Sequence, residues 1–110
     1  MKYLTKQEEL LLLTIFNIKS DAYLINIREQ LIEQAGKDWP FGSIYTSLER
    51  LKNKGYIQTR KGVPSSNRGG KAVKFYELTN EGIEILNKTK ILQDKMWRNF
   101  SNVALEKGFK

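Results

Sequence analysis

The chain has 110 residues, of which 40% are hydrophobic and 28% charged, as expected for one soluble globular domain. It contains no cysteine and no histidine, which excludes disulfides, thiol nucleophiles, most zinc sites and the usual general base near neutral pH. We therefore expect no catalytic residues, no metal site and no cofactor, while the formal net charge of +7 favours a polyanionic partner.

The N-terminus lacks the pattern of a signal peptide, and the longest apolar run, residues 10–13, is too short to span a bilayer. A cytoplasmic protein without a membrane partner is the simplest interpretation. Residues 50–76 hold eight of the 19 Lys and Arg residues and none of the 12 Asp and Glu residues. The positive charge is therefore concentrated in one segment.

The first helix is predicted over residues 6–18, because Thr5 and Glu8 have the spacing of a capping box. Its apolar residues cover more than the single stripe of a surface helix. One side can face the core, and a second subunit would cover the other, so we assign Leu11 and Ile15 to a dimer interface.

A second helix is predicted over residues 23–35, with Gly36 as its C-cap. Pro40 then prevents a helix from continuing, so Trp39 is placed on a short extended piece. Trp39 is interpreted as a core or hinge aromatic rather than as a ligand platform.

The third helix is predicted from Phe41 or Gly42 to Gly55, and its apolar spacing buries one stripe. The opposite face mixes hydroxyl, amide and guanidinium groups, which suit reading base edges and contacting phosphates. It carries Thr46, Glu49, Arg50 and Asn53, flanked by Ser43, Tyr45, Lys52 and Lys54.

Two antiparallel strands are predicted over residues 56–61 and 72–78, joined by a long tip rich in glycine, serine and proline. Tyr76 and Leu78 should face the core. Gly69 and Gly70 lack the flanking pattern of a phosphate-binding loop, so a basic hairpin tip touching a nucleic-acid backbone fits better.

A last helix is predicted from the N-cap Thr79 to about residue 105. Its apolar residues lie close to heptad spacing, which predicts dimerisation through this helix; packing back onto the first helix is the alternative. The predicted interface residues are Ile85, Leu92, Met96, Phe100 and Val103.

The element order predicts an α+β, mostly helical fold: a winged helix-turn-helix with a C-terminal dimerisation helix. Residues 1–78 would form the DNA-binding domain, and residues 79–110 the helix packed on it. Since winged helices also bind proteins, the fold leaves the partner open. The alternatives are a module that binds nucleic acid without sequence preference and an adapter for an acidic protein.

Two motifs resemble the PadR family of bacterial transcriptional regulators. The first runs over residues 43–57 and contains Ile44-Tyr45 before a Leu-x-x-Leu-x-x-x-Gly pattern, and the second is Tyr-x-Leu-Thr-x-x-Gly at residues 76–82. Thr46 stands where proline is common, and the single C-terminal helix is typical of the short members. The resemblance implies a homodimeric repressor of an inverted-repeat operator, which in some members responds to aromatic compounds at the dimer interface.

Within this interpretation Arg50 is the candidate for a bidentate guanine contact, or alternatively a surface ion-pair partner. Tyr45 either contacts DNA or fills the gap between the second and third helices. The remaining basic residues would attract the DNA backbone: Lys54, Arg60, Lys61, Arg68, Lys71 and Lys74. Trp97, Met96 and Phe100 would either stack a flat aromatic molecule between two subunits or simply pack there.

Overall fold

The computed structural model describes residues 3–64 and 70–106. Within this part, four helices and a two-stranded antiparallel sheet confirm the expected winged helix-turn-helix. The elements are α1 (Lys6–Ile18), α2 (Leu24–Ala35), α3 (Phe41–Asn53), β1 (Ile57–Gly62), β2 (Val73–Leu78) and α4 (Asn80–Glu106).

Local signals set the helix ends. The Thr5 hydroxyl accepts from the Glu8 amide at 3.2 Å while the Thr5 amide donates to the Glu8 carboxylate at 2.9 Å, which confirms the capping box. Gly36 ends α2 in the left-handed conformation, with φ of 64°, as expected of a C-cap glycine. The Thr79 hydroxyl accepts from the Gly82 amide at 3.1 Å, which confirms the N-cap of α4.

The core lies where α1, α2 and α3 meet one face of the hairpin. Ile44, Leu48 and Leu51 form the buried stripe of α3, as predicted. Tyr76 is buried against the same cluster, and Leu78 is partly buried beside it. The other members of this core are Leu11, Leu12, Ile15, Ala22, Ile27, Leu31, Ile57 and Ile85.

The short extended piece lies elsewhere than expected. Trp39 is in no strand but packs against the core, in agreement with its predicted role as a core aromatic. Tyr23, just before α2, instead forms an isolated bridge with Phe75, and the Tyr76 amide donates to the Ala22 carbonyl at 2.8 Å. The segment between α1 and α2 thus pairs with the outer edge of β2.

The first half of α4 packs on α1. The Gln93 amide donates to the Glu9 carboxylate at 3.0 Å, and the Thr89 hydroxyl lies 3.5 Å from the Leu4 amide nitrogen. Leu11, Ile15 and Ile85 are enclosed within the protomer, which differs from their expected place in a dimer interface, because the core needs them. The exposed apolar residues of α1 are instead Leu13 and Phe16.

Candidate nucleic-acid interface

The outer face of α3 presents a polar stripe to solvent. Ser43, Thr46, Arg50 and Asn53 recur at spacings of three and four residues, so they share one side of the helix, and all four are exposed. Among the described residues, the guanidinium of Arg50 has neither a hydrogen bond nor an ion pair. The surface ion pair considered for Arg50 is therefore absent from this structure, and its five donors remain available to a ligand.

Tyr45 lies at the edge of this stripe and is 44% exposed. It borders an apolar hollow of about 270 Å³ between α2, α3 and β2, together with Tyr23, Leu24 and Tyr76. Tyr45 therefore combines both expected positions: one side of the ring borders the gap between the helices, and the other side faces solvent.

The N-terminus of α1 holds α3 in place. The Gln7 amide donates to the Ser47 hydroxyl at 3.2 Å, and the Lys54 ammonium donates to the Glu8 carboxylate at 2.6 Å. Lys54 was expected to contact DNA, but its ammonium is already paired within the protomer. Glu8 is nearly buried, so the ion pair fixes the end of α3 rather than extending towards solvent.

Burial raises the pKa of the Glu8 carboxyl, but the Lys54 hydrogen bond and charge and the hydrogen bonds to Thr5 outweigh burial and leave that pKa below its ordinary value. A carboxyl whose folded-state pKa is depressed stabilises the fold above its unfolded-state pKa, and this contribution disappears as the pH falls through the folded-state value. The Glu8 contribution is thus present at neutral pH and lost under acid conditions.

We expect Glu8→Gln to lower the free energy of unfolding by about 1 kcal/mol at pH 7, because it removes the charge that pairs with Lys54, while glutamine can still accept the Thr5 amide of the capping box. The difference from the wild type should shrink as the pH falls below about 4, where the wild-type carboxyl becomes protonated. Urea unfolding across pH 3–7 measures this difference in the free energy of unfolding. Glu33→Gln, on the exposed side of α2, is the control; a constant difference for Glu8→Gln across the whole range would contradict the assignment.

The hairpin formed by β1 and β2, here called the wing, carries both exposed cations and a cation that is engaged within the protomer. Lys61 and Lys71 are exposed. Arg60 was expected at the DNA backbone, yet its guanidinium donates to the Ser20 carbonyl at 3.2 Å and lies 4.4 Å from the centre of the Phe75 ring. Arg68 lies outside the described residues.

Glu49 and Lys74 join α3 to the wing. The Lys74 ammonium lies 3.5 Å from Glu49 Oε2 and 5.5 Å from the centre of the Tyr45 ring. Glu49 was expected on the solvent face with Arg50, but it is only partly exposed, because β2 covers it. Burial, with the nearby charge of Glu49 and then Tyr45, raises the pKa of Tyr76 to about 12.

The second half of α4 carries an exposed apolar stripe. Met96 and Phe100 are 61% and 59% exposed, and Leu92 and Val103 continue the same side of the helix. The rings of Trp97 and Phe100 meet edge to face with centres 5.6 Å apart, and with Met96 they border a shallow depression of about 250 Å³. The predicted ligand residues are therefore together, but on an open surface of the single chain.

Aromatic and cationic contacts that were not predicted from the sequence pack behind α3 and the wing. Tyr23 meets Phe75 edge to face with ring centres 5.7 Å apart. Arg28 donates to the Trp39 carbonyl at 2.9 Å and lies 4.7 Å from the centre of the Phe41 ring. The density of aromatic residues near the helix starts is the only sequence signal that could have indicated these contacts.

The sequence matches the model of the transcriptional regulator PadR-like family over residues 12–88. A PadR family transcription regulator from Clostridium difficile is 27% identical, with a TM-score of 0.64 and coverage of 90% of this chain and 95% of that chain. No protein with a curated description matches the sequence.

Two further solved structures share the fold at lower identity. A PadR-like transcriptional regulator from Bacillus cereus is 22% identical, with a TM-score of 0.72 and coverage of 88% and 89% of the two chains. A PadR family regulator from Eggerthella lenta is 20% identical, with a TM-score of 0.67 and coverage of 88% and 82%. Across residues 3–64 and 70–106, no helix combines the length and apolarity needed to cross a membrane.

Proposed function

Because the chain belongs to the PadR-like family of transcriptional regulators, we propose that it is a homodimeric repressor that binds an inverted-repeat operator in double-stranded DNA. The observation that carries the proposal is the exposed polar stripe of α3, with the exposed Arg50 at its centre and the basic wing beside it. Such a helix fits the major groove, and the wing reaches the neighbouring backbone.

In this proposal Arg50 reads a guanine through two hydrogen bonds, a contact worth about 1–3 kcal/mol of discrimination between bases. Ser43, Thr46 and Asn53 lie on the same side of α3 and contact bases or phosphates. Lys61 and Lys71 supply attraction to the backbone, which depends on salt but carries no base preference.

The apolar surface supports the homodimer. The stripe of Leu92, Met96, Phe100 and Val103 is exposed in the single chain, although exposed apolar patches of this kind are uncommon on monomeric soluble proteins. A groove of about 450 Å³ between α1 and α4, bordered by Leu13 and Phe16, offers a second apolar surface. Pairing these surfaces around a two-fold axis would place two copies of α3 about 34 Å apart, one turn of DNA.

The same dimer would bring two copies of Trp97 together and convert the open depression beside Met96 and Phe100 into an enclosed site. A flat aromatic molecule could stack there, in keeping with the amphipathic character of tryptophan. The support for this part of the proposal is the cluster of three large side chains on the surface that would face the partner.

Binding to the DNA upstream of its own gene, compared with scrambled DNA over a salt series, tests the proposal. We expect the wild type to prefer its own upstream DNA by at least about 1,000-fold. Equal affinity for both would instead favour a module without sequence preference. Negligible affinity for both at low salt would favour an adapter for an acidic protein.

Arg50→Ala should lower the preference for the operator by about tenfold or more, because it removes a base contact while leaving most of the backbone attraction. Lys61→Ala is the matched control on the wing. It should weaken operator and scrambled DNA to a similar extent and reduce the slope of log K against log salt by about 1. The reverse pattern for the two variants would contradict the assigned roles.

A further inference from the structure

Glu49 is an acidic residue next to the basic face that would meet DNA. One turn before it on α3 is Tyr45, and across from it on β2 is Lys74. Within the described residues its Oε2 atom is buried and makes no hydrogen bond, and the Lys74 ammonium lies 3.5 Å away. A carboxylate beside a DNA-binding face weakens the attraction of that face to phosphates. A structural role for Glu49 would explain its position there.

We propose that Glu49 and Lys74 form a link that sets the angle between the recognition helix α3 and the wing, and so determines DNA specificity without touching DNA. This inference rests on the proposed function of sequence-specific binding. Glu49 and Lys74 are positioning residues here, and Lys74 is thereby removed from the set of phosphate-contacting lysines.

Lys74 connects the wing to α3 through three features. Its ammonium pairs with Glu49, it lies over the ring of Tyr45 at 5.5 Å, and its backbone belongs to the ladder of the wing. Lys74 also lies directly opposite Lys61 in that ladder. Facing like charges destabilise an antiparallel pair, so the carboxylate of Glu49 offsets the repulsion between these two strands.

Other contacts position the wing at its base and against the segment before α2, where Tyr23 bridges Phe75 and Arg60 donates to the Ser20 carbonyl. The base of the wing is fixed at Ile57, which is buried in the core, and at Tyr76, whose amide donates to Ala22. Among the described residues, the contact between Lys74 and Glu49 is the only ion pair or side-chain hydrogen bond that joins β2 to α3. The helix that reads the bases and the wing that contacts the backbone must bind the same duplex together. A change in the angle between them therefore weakens binding to the operator more than binding to random DNA.

Glu49→Gln should lower the ratio of operator affinity to scrambled-DNA affinity by about three- to fivefold, the value of one partly buried ion pair. It should also make the salt dependence steeper by about one unit of slope, because the released Lys74 becomes available to phosphates. Lys74→Met should lower the same ratio, and the double variant should lower it no further than either single change, since both break one link.

Glu77→Gln is the matched control: it removes the same charge from β2, the strand that carries Lys74, where Glu77 is exposed and accepts a hydrogen bond from Gln58. We expect its affinity ratio to equal that of the wild type. If Glu49→Gln instead increases the affinity for operator and scrambled DNA equally, their ratio is unchanged. Glu49 then acts only through its charge, and the proposal fails. It also fails if Lys74→Met weakens both DNAs equally and reduces the salt slope, as for a phosphate contact.

A measurement without DNA separates this proposal from the proposed function. The chain has no cysteine, so spin labels at Lys52→Cys on α3 and Val63→Cys beyond β1 report the distance between helix and wing. Diluting labelled with unlabelled protein keeps one labelled chain in each assembly. Glu49→Gln should broaden the distance distribution and Glu77→Gln should not; equal widths would overturn the link even if the wild type proves specific. If the wild type shows no specificity, the proposed function fails and this distance alone decides about the link.

Discussion

In the proposed homodimer, Met96→Lys combined with Phe100→Lys should separate the subunits into monomers and lower operator affinity by about 100-fold or more. Both side chains lie on the exposed apolar stripe of α4 and are more than half exposed in the single chain. Burying two charges between subunits costs several kcal/mol unless they are paired. A monomer also loses the gain from binding two half-sites at once. Light scattering gives the mass in solution, for comparison with 12.8 kDa for one chain.

Ser101→Lys combined with Asn102→Lys is the control for this variant. It adds the same positive charge to the same part of α4, but both positions lie on the side of the helix away from the stripe. We expect this control to remain a dimer and to retain operator preference. A dimer that persists in the Met96 and Phe100 variant would place the interface elsewhere, with the groove beside Leu13 and Phe16 as the next surface to test.

Gly82→Ala should lower the free energy of unfolding by about 2–3 kcal/mol, a value typical of overpacking at a rigid contact. A Cβ atom at this position would lie 2.2 Å from the carbonyl oxygen of Tyr56. That oxygen belongs to the backbone and also accepts a hydrogen bond from the Thr79 amide at 3.1 Å, so it cannot turn away as a side chain could. The first turn of α4 would have to move off the turn that follows α3.

Gly42→Ala is the matched control, because a Cβ atom there has no neighbour within 4 Å. Alanine is the better helix former, so this variant should equal the wild type or exceed it by up to about 1 kcal/mol. Urea unfolding of all three proteins at one fixed concentration provides the comparison, since subunit association contributes to stability. A Gly82→Ala protein as stable as the wild type would mean that α4 is not held against Tyr56.

The helices and strands of this protein were largely predictable, because their signals are local. A capping box begins α1, a glycine ends α2, and a threonine caps α4, each within a few residues of the helix end it controls. The polar stripe of α3 follows from helical periodicity and is exposed as predicted. The burial of Phe75 was not predicted. Phe75 and its neighbour Tyr76 are both buried, so β2 lacks the alternation that marks a strand with one solvent-exposed face.

The roles of individual charged residues were less predictable. The sequence alone does not distinguish Lys54, Arg60 and Lys74 from the other cations. Each of them contacts a group of the same protomer that is distant in sequence. Leu11 and Ile15 were likewise expected at a subunit surface but lie in the core. Neither periodicity nor composition reports which of two apolar faces of a helix meets the rest of the chain.

The sequence by itself determined the order of the elements, the family and the segment that carries the positive charge, because capping, periodicity, motifs and composition are all properties of short stretches of chain. Only the tertiary structure decided which of those charges remain available. Glu8 and Lys54 are 46 positions apart, and Glu49 on α3 pairs with Lys74 on β2, the second strand of the wing. Such pairs depend on how helices and strands pack against one another, and that packing leaves Arg50 exposed on α3 while it turns Arg60 back onto the wing.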